Sequence, residues 1–138
     1  MKTLGAMVAA GLLLAGCVSA PPPLPPACPP GQDYLQTAQM FFGRNIGDQP
    51  GVSDAEFSKF VDEEMTPRFP DGLTVLDAGG QWRGDENRLI REASKVVLIV
   101  LPPRRGVGDR LQAVRAAYKA RFHQESVLLI TQAACVSF

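Results

Sequence analysis

Histidine is almost missing from this chain. His123 is the only one, and it falls beside Gln124 and Glu125 at the end of an expected helix, where C-terminal capping suits it better than catalysis. A single histidine and three cysteines with other uses argue against a zinc site of the usual kind. Ser94 and Ser126 have no base beside them, so a serine nucleophile has no support. Excess charge is missing too. Fourteen Lys and Arg balance fourteen Asp and Glu, which leaves no electrostatic case for nucleic acid. Glycine-rich phosphate loops are absent, since Gly106-Val107-Gly108 lacks both the lysine and the spacing. The apolar run at 4–16 is too short to span a bilayer. No cofactor is expected.

What that run does offer is a leader. Met1-Lys2 is a short basic start, and the run ends in Leu14-Ala15-Gly16-Cys17. This resembles the lipobox of bacterial lipoproteins. The resemblance implies a signal peptide at 1–16, cleavage after Gly16, a diacylglyceryl group on Cys17 and acylation (palmitate) of the new amino terminus. Several acyl chains, at about 0.8 kcal/mol per buried methylene, give stable membrane anchoring. Val18 is not the aspartate that marks inner-membrane retention in enteric lipoproteins, so the resemblance points to the outer membrane, facing the periplasm. Residues 17–32 then form the lipidated cysteine and a tether. Within it PPPLPPACPP (21–30) is too proline-dense for helix or central strand and reads as polyproline II. Ten such residues hold a domain roughly 30 Å from its anchor. A PxxP ligand is the alternative use, and a stand-off tether the commoner one.

Lipidation of Cys17 leaves Cys28 and Cys135 in an oxidising compartment. A bridge between them would close a loop of about a hundred residues, worth near 4.7 kcal/mol at most by chain entropy. The alternative is a buried Cys135 and a mobile Cys28.

One small domain is expected over 33–138. Residues 66–83, TPRFPDGLTVLDAGGQWR, carry its densest local signals. Pro67 and Pro70 stop a preceding helix at Thr66, and Asp71-Gly72 reads as a turn. From Leu73 side chains alternate, Leu73 and Val75 to one face, Thr74 and Leu76 to the other. Gly79-Gly80 suggests a bulge or bend, and 84–87 turns the chain back as a hairpin. Upstream, 39–44 reads as a first strand that could begin at Tyr34, and 45–51 as a loop. Ser53-Asp54-Ala55-Glu56 fits a capping box, with Phe57, Phe60, Val61 and Met65 on one helical face. Downstream, 88–101 returns as a strand, with an irregularity at Glu92-Ala93. Its VVLIVL half is apolar on both sides, as in a middle strand covered on both faces. Arg104-Arg105 reads as a solvated loop tip. Asp109 is the expected cap of a second helix whose inner face carries Leu111, Val114, Tyr118 and Phe122. Residues 126–138 form the last strand.

That order, strand-helix-strand-strand-helix-strand, predicts an α+β, ferredoxin-like βαββαβ domain: a four-stranded antiparallel sheet with two helices on one face. The last strand would lie beside the first, bringing Cys135 toward Cys28. The other sheet face would be open. Residues 96–101, with Phe41, Phe42, Leu128 and Ile130, would place apolar area there, predicting a sheet-to-sheet homodimer or cover by the tether.

For a ligand, the candidates are Arg44, Arg68, Asp77, Trp82 and Arg83, with Glu92 and Lys95 beside them. They offer a guanidinium fork and an indole platform for a polar or anionic group. The alternative is surface pairing and strand-edge packing. Asp62, Glu63 and Glu64 read as a solvated helix surface. The blocks FFGRNIG, TPRFPDGLTVLDAGGQWR, REASKVVLIVLP and AAYKARFHQESVL, from Phe41 onward, resemble an uncharacterised family of small exported or lipid-anchored bacterial proteins, a domain of unknown function. The resemblance implies no activity and no catalytic residues. Two readings follow. One is a non-enzymatic envelope lipoprotein whose domain binds a partner or itself. The other is a small-ligand binder or enzyme, which a convergence of Arg68, Asp77, Trp82 and Arg83 in an enclosed pocket would mark.

Overall fold

Alternation decides the sheet. In β1 (Asp33–Gly43) the even side chains Ala38, Met40 and Phe42 are buried, while the odd ones face the other way. The computed structural model describes residues 27–47, 49–83 and 87–138. The leader, Cys17 and most of the proline-rich stretch lie outside the described residues, as does the 84–86 part of the hairpin turn. After β1 the chain makes a two-residue ladder, β2 (Asn45–Ile46) against β3 (Gln49–Pro50), where the sequence predicts only a loop.

Helix α1 (Asp54–Phe60) starts at the expected capping box. The Glu56 amide donates to Ser53 Oγ at 3.2 Å, and the Ser53 amide donates back to Glu56 Oε2 at 2.8 Å. The helix widens into a π turn over Val61–Met65, in which the Thr66 amide reaches back five residues to Val61 O at 2.9 Å. Pro67 prevents its continuation. Gly72 then takes the positive φ (126°) that the turn needs.

Strands β4 (Thr74–Arg83) and β5 (Leu89–Leu101) form the hairpin, α2 (Val107–Phe122) follows, and β6 (Leu128–Val136) closes the chain. The sheet order is β4-β5-β1-β6, antiparallel throughout. Both helices pack their apolar sides into one core with Phe42, Val97 and Ile99 of the sheet. This is the ferredoxin-like α+β architecture that the element order predicts. Its centre is aromatic: Tyr118 packs edge-on against Phe42 (centroids 4.8 Å) and Phe60 (5.1 Å), and Phe60 meets Phe122 at 5.9 Å.

Several local expectations change. Gly79 and Gly80 pair with Ala93 and Glu92 in unbroken register, so neither a bulge there nor an irregularity at Glu92-Ala93 forms. Glycine permits a bulge without requiring one. Asp109 does not cap α2. Gly106, at φ 77°, occupies that position, and Asp109 lies in the first turn, near the positive end of the helix dipole. His123 does take the C-cap, in the left-handed region. Phe42 belongs to the core, not to the open face. Arg104 is not a free loop tip, since it pairs with Asp71 at 3.3 Å.

Cys28 and Cys135 are disulfide-bonded, with Cα atoms 5.5 Å apart and 107 residues of separation. The register explains this. Asp33 pairs with Val136 and Tyr34 with Cys135, so β6 ends where β1 begins.

Candidate functional site

The predicted ligand residues do not converge. Arg44, Asp77 and Lys95 meet at the start of α1. Lys95 Nζ lies 2.7 Å from Asp54 Oδ1 and also bonds Asp77 Oδ1. Arg44 reaches Asp54 Oδ1 at 3.1 Å and donates to Val52 O at 2.8 Å. The lysine side chain is 11% exposed and the two carboxylates are 74% and 85% exposed, so the acids roof a buried cation. This network fastens the start of α1 to β4 and β5. Hydrogen bonds to Asp54 and Asp77 hold the Lys95 amine above its ordinary pKa of 10.5, which keeps it protonated and unsuited to act as a nucleophile.

Arg68 stands apart. It bonds the Glu64 side chain and carbonyl one helical turn back and borders a cleft of only about 10 Å³, room for no more than a water. Of the three acids expected to be a solvated helix surface, Asp62 and Glu63 are exposed, and Glu63 and Glu64 also enter ion pairs. Glu63 bonds Lys59 and lies 2.9 Å from Arg121, and Glu64 also contacts Arg121 at 3.5 Å.

Trp82, opposite Ile90 at the far end of β4, lies on the open sheet face, with Arg83 next to it in the strand. There, between the β4–β5 hairpin, the end of β1 and the turn after α2, is a groove of about 810 Å³. Phe41, Trp82, Ile90 and Leu128 supply its apolar surface, and Glu92, His123 and Glu125 its polar one. Glu92 Oε1 accepts the Asn45 amide at 2.8 Å. Arg83 is turned to Asn87 Oδ1 at 2.8 Å. Sequence reasoning named Trp82, Arg83 and Glu92 among its ligand candidates. Their grouping with Phe41, Asn45 and the 123–126 turn depends on β1 lying between β5 and β6, which no local spacing encodes.

An apolar surface adjoins the groove. Across the sheet Leu76, Val96, Phe41 and Leu128 form one unbroken row, and Thr74, Leu98, Gln39 and Ile130 form the next. Leu76 is 50% exposed, Leu128 56% and Ile130 40%. The two-sided apolar run of β5 is therefore covered by helices on one side only.

A family model described as "Protein of unknown function (DUF3574)" matches residues 37–138. The chain belongs to that family. Among solved structures it is similar to a phage SAM lyase in the apo state, with 19% identity and a TM-score of 0.57, covering 76% of this chain and 90% of that one. It is also similar to a phage SAM lyase in complex with S-methyl-5'-thioadenosine, with 18% identity and a TM-score of 0.58, covering 84% and 97%. At these identities the likeness is one of fold. No curated protein matches the chain.

The carboxylates of this DUF3574 domain set its acid stability. Lys95 and then Arg44 lower the pKa of Asp54 from an ordinary 3.8, Ser53 lowers that of Glu56 from 4.5, and Lys59 lowers that of Glu63 from 4.5. A depressed folded-state pKa adds stability that is present above the unfolded value and lost as pH falls through the folded one. Urea midpoints are therefore expected to be level near neutrality and to fall below about pH 4. Raised Lys95 gives the opposite limb, stability lost only above pH 10.5. A midpoint that rises on acidification from pH 5 to 3 contradicts this assignment.

Proposed function

We propose that this protein is a binding module of the bacterial envelope that pairs with a second copy of itself through the open sheet face, held near the membrane by a lipid on Cys17. The observation that carries the pairing is the row Leu76–Val96–Phe41–Leu128 with Leu98 and Ile130 beside it, an apolar patch with no helix over it. Its composition suits a second copy. The row residues include no charged side chain, so a two-fold contact sets no like charges against each other. The proline-rich tether stands as the other possible cover. A ligand pocket built from Arg68, Asp77, Trp82 and Arg83 loses its support, because Arg68 and Asp77 are paired off at separate places.

Replacing Leu98, in the middle of the patch, with Glu places two carboxylates face to face across the two-fold axis. Sedimentation velocity of the full chain in neutral detergent is expected to show a dimer for the wild type and a monomer for Leu98→Glu. Equal sedimentation of the two as monomers counts against self-pairing.

A further inference from the structure

We propose that the groove between the β4–β5 hairpin and the turn after α2 binds an amine cation carried on a compact apolar body. This goes beyond self-pairing, and the groove borders that surface, sharing Phe41 and Leu128 with it. At about 810 Å³ the groove has the size of a small-molecule site, and such sites combine apolar walls with a few placed polar groups.

The placed group is Glu92. Its Oε1 accepts the Asn45 amide at 2.8 Å, and Asn45 is held from the other side, its carbonyl accepting Gln124 Nε2 at 2.5 Å. Glu92 belongs to none of the ion pairs among the described residues. Position 43 makes room for it. A Cβ added at Gly43 would fall 2.5 Å from Glu92 Oε1 and 2.9 Å from its Cδ, so glycine gives the carboxylate its berth against the strand. The Glu92 carboxylate thus lines the groove with one backbone amide donating to it and no cation beside it among the described residues. A ligand ammonium supplies the missing partner.

The walls agree with that sign. Trp82 offers an indole, the aromatic side chain best suited to a cation, and Phe41 and Ile90 offer apolar surface for the body that carries it. The groove's own arginine, Arg83, is engaged with Asn87, and Glu125 adds a second carboxylate at the rim. An anion finds no unengaged arginine or lysine among these lining residues.

The chain has a single tryptophan, so its fluorescence reports on the groove directly. The full chain in neutral detergent is titrated with 2-phenylethylammonium, with 2-phenylethanol as neutral control and phenylacetate as anionic control, followed by Trp82 emission and by calorimetry in parallel. The expected result is saturable binding of the ammonium, at least about tenfold tighter than either control. Glu92→Gln keeps an oxygen for the Asn45 amide and removes the charge, and it is expected to erase that preference while circular dichroism stays unchanged. Should Glu92→Gln fail to fold, the order of the three probes on the wild type decides alone. No saturable binding by either readout, equal affinity for the three probes, or an unchanged preference in a folded Glu92→Gln overturns the proposal.

Discussion

Replacing both Cys28 and Cys135 with Ser lowers the unfolding free energy by about 2–5 kcal/mol and leaves the sheet order intact. The size follows from the chain between them, 107 residues. A bond closing so long a loop removes much of the freedom of the unfolded chain, near 4.7 kcal/mol by the entropy model. The native state has its own reason to need the bond. β6 is an edge strand whose residues are mostly exposed, with Leu129 the one partly packed on the core. It is held by its ladder to β1 and by the link at its end. For a domain of this size each 1 kcal/mol moves the melting temperature by roughly 4–8 °C, so calorimetry of the oxidised and double-serine proteins should differ by at least about 10 °C. Identical melting of the two contradicts the account of how the chain ends are held.

Phe60→Ala is the second large effect, a loss of about 3–5 kcal/mol. Phe60 is fully buried, and its ring touches Phe42, Tyr118 and Phe122 at centroid distances of 6.0, 5.1 and 5.9 Å. Arg121 stacks over it at 5.5 Å. Removing it leaves a cavity where α1, α2 and β1 meet, and neighbouring rings fill such a space poorly. Domains of this class have about 5–15 kcal/mol in total, so the variant should unfold at markedly lower urea. Phe41→Ala, one residue from Phe42 on the opposite face, gives the contrast. If that face pairs with a second copy, its destabilisation grows with protein concentration and shrinks on dilution, as linked association requires, whereas that of Phe60→Ala does not.

How much of this was legible in the sequence depends on the range of the interaction. The capping box at Ser53, the stop at Pro67, the turn at Gly72 and the apolar spacing of α2 act within a few residues, and all four appear in the structure. The element order carried the topology, and the topology carried the disulfide, because it sets Tyr34 opposite Cys135. Two-sidedness of VVLIVL was readable, but which residues turn to the helices was not clear at Phe42, where two adjacent phenylalanines give no parity. The candidate site was the least legible part. Asp54 joins Arg44 to the cross-strand Lys95–Asp77 pair, and its position in a capping box hid this second role. Glu92 meets Asn45 across two strands, 47 residues away in the chain. Gly43, read only as part of the first strand, proves to leave the space that Glu92 occupies.

The uncovered sheet face is the claim on which the functional reading stands, and methyl contacts between copies test it most directly. A sample mixing isotope-labelled and unlabelled full chain allows isotope-filtered NMR to detect only protons that touch across an interface. The account predicts cross-peaks to the methyls of Leu76, Val96, Leu98, Leu128 and Ile130. Cross-peaks confined to residues of the helical side, or none at a concentration where light scattering finds only monomer, would contradict it.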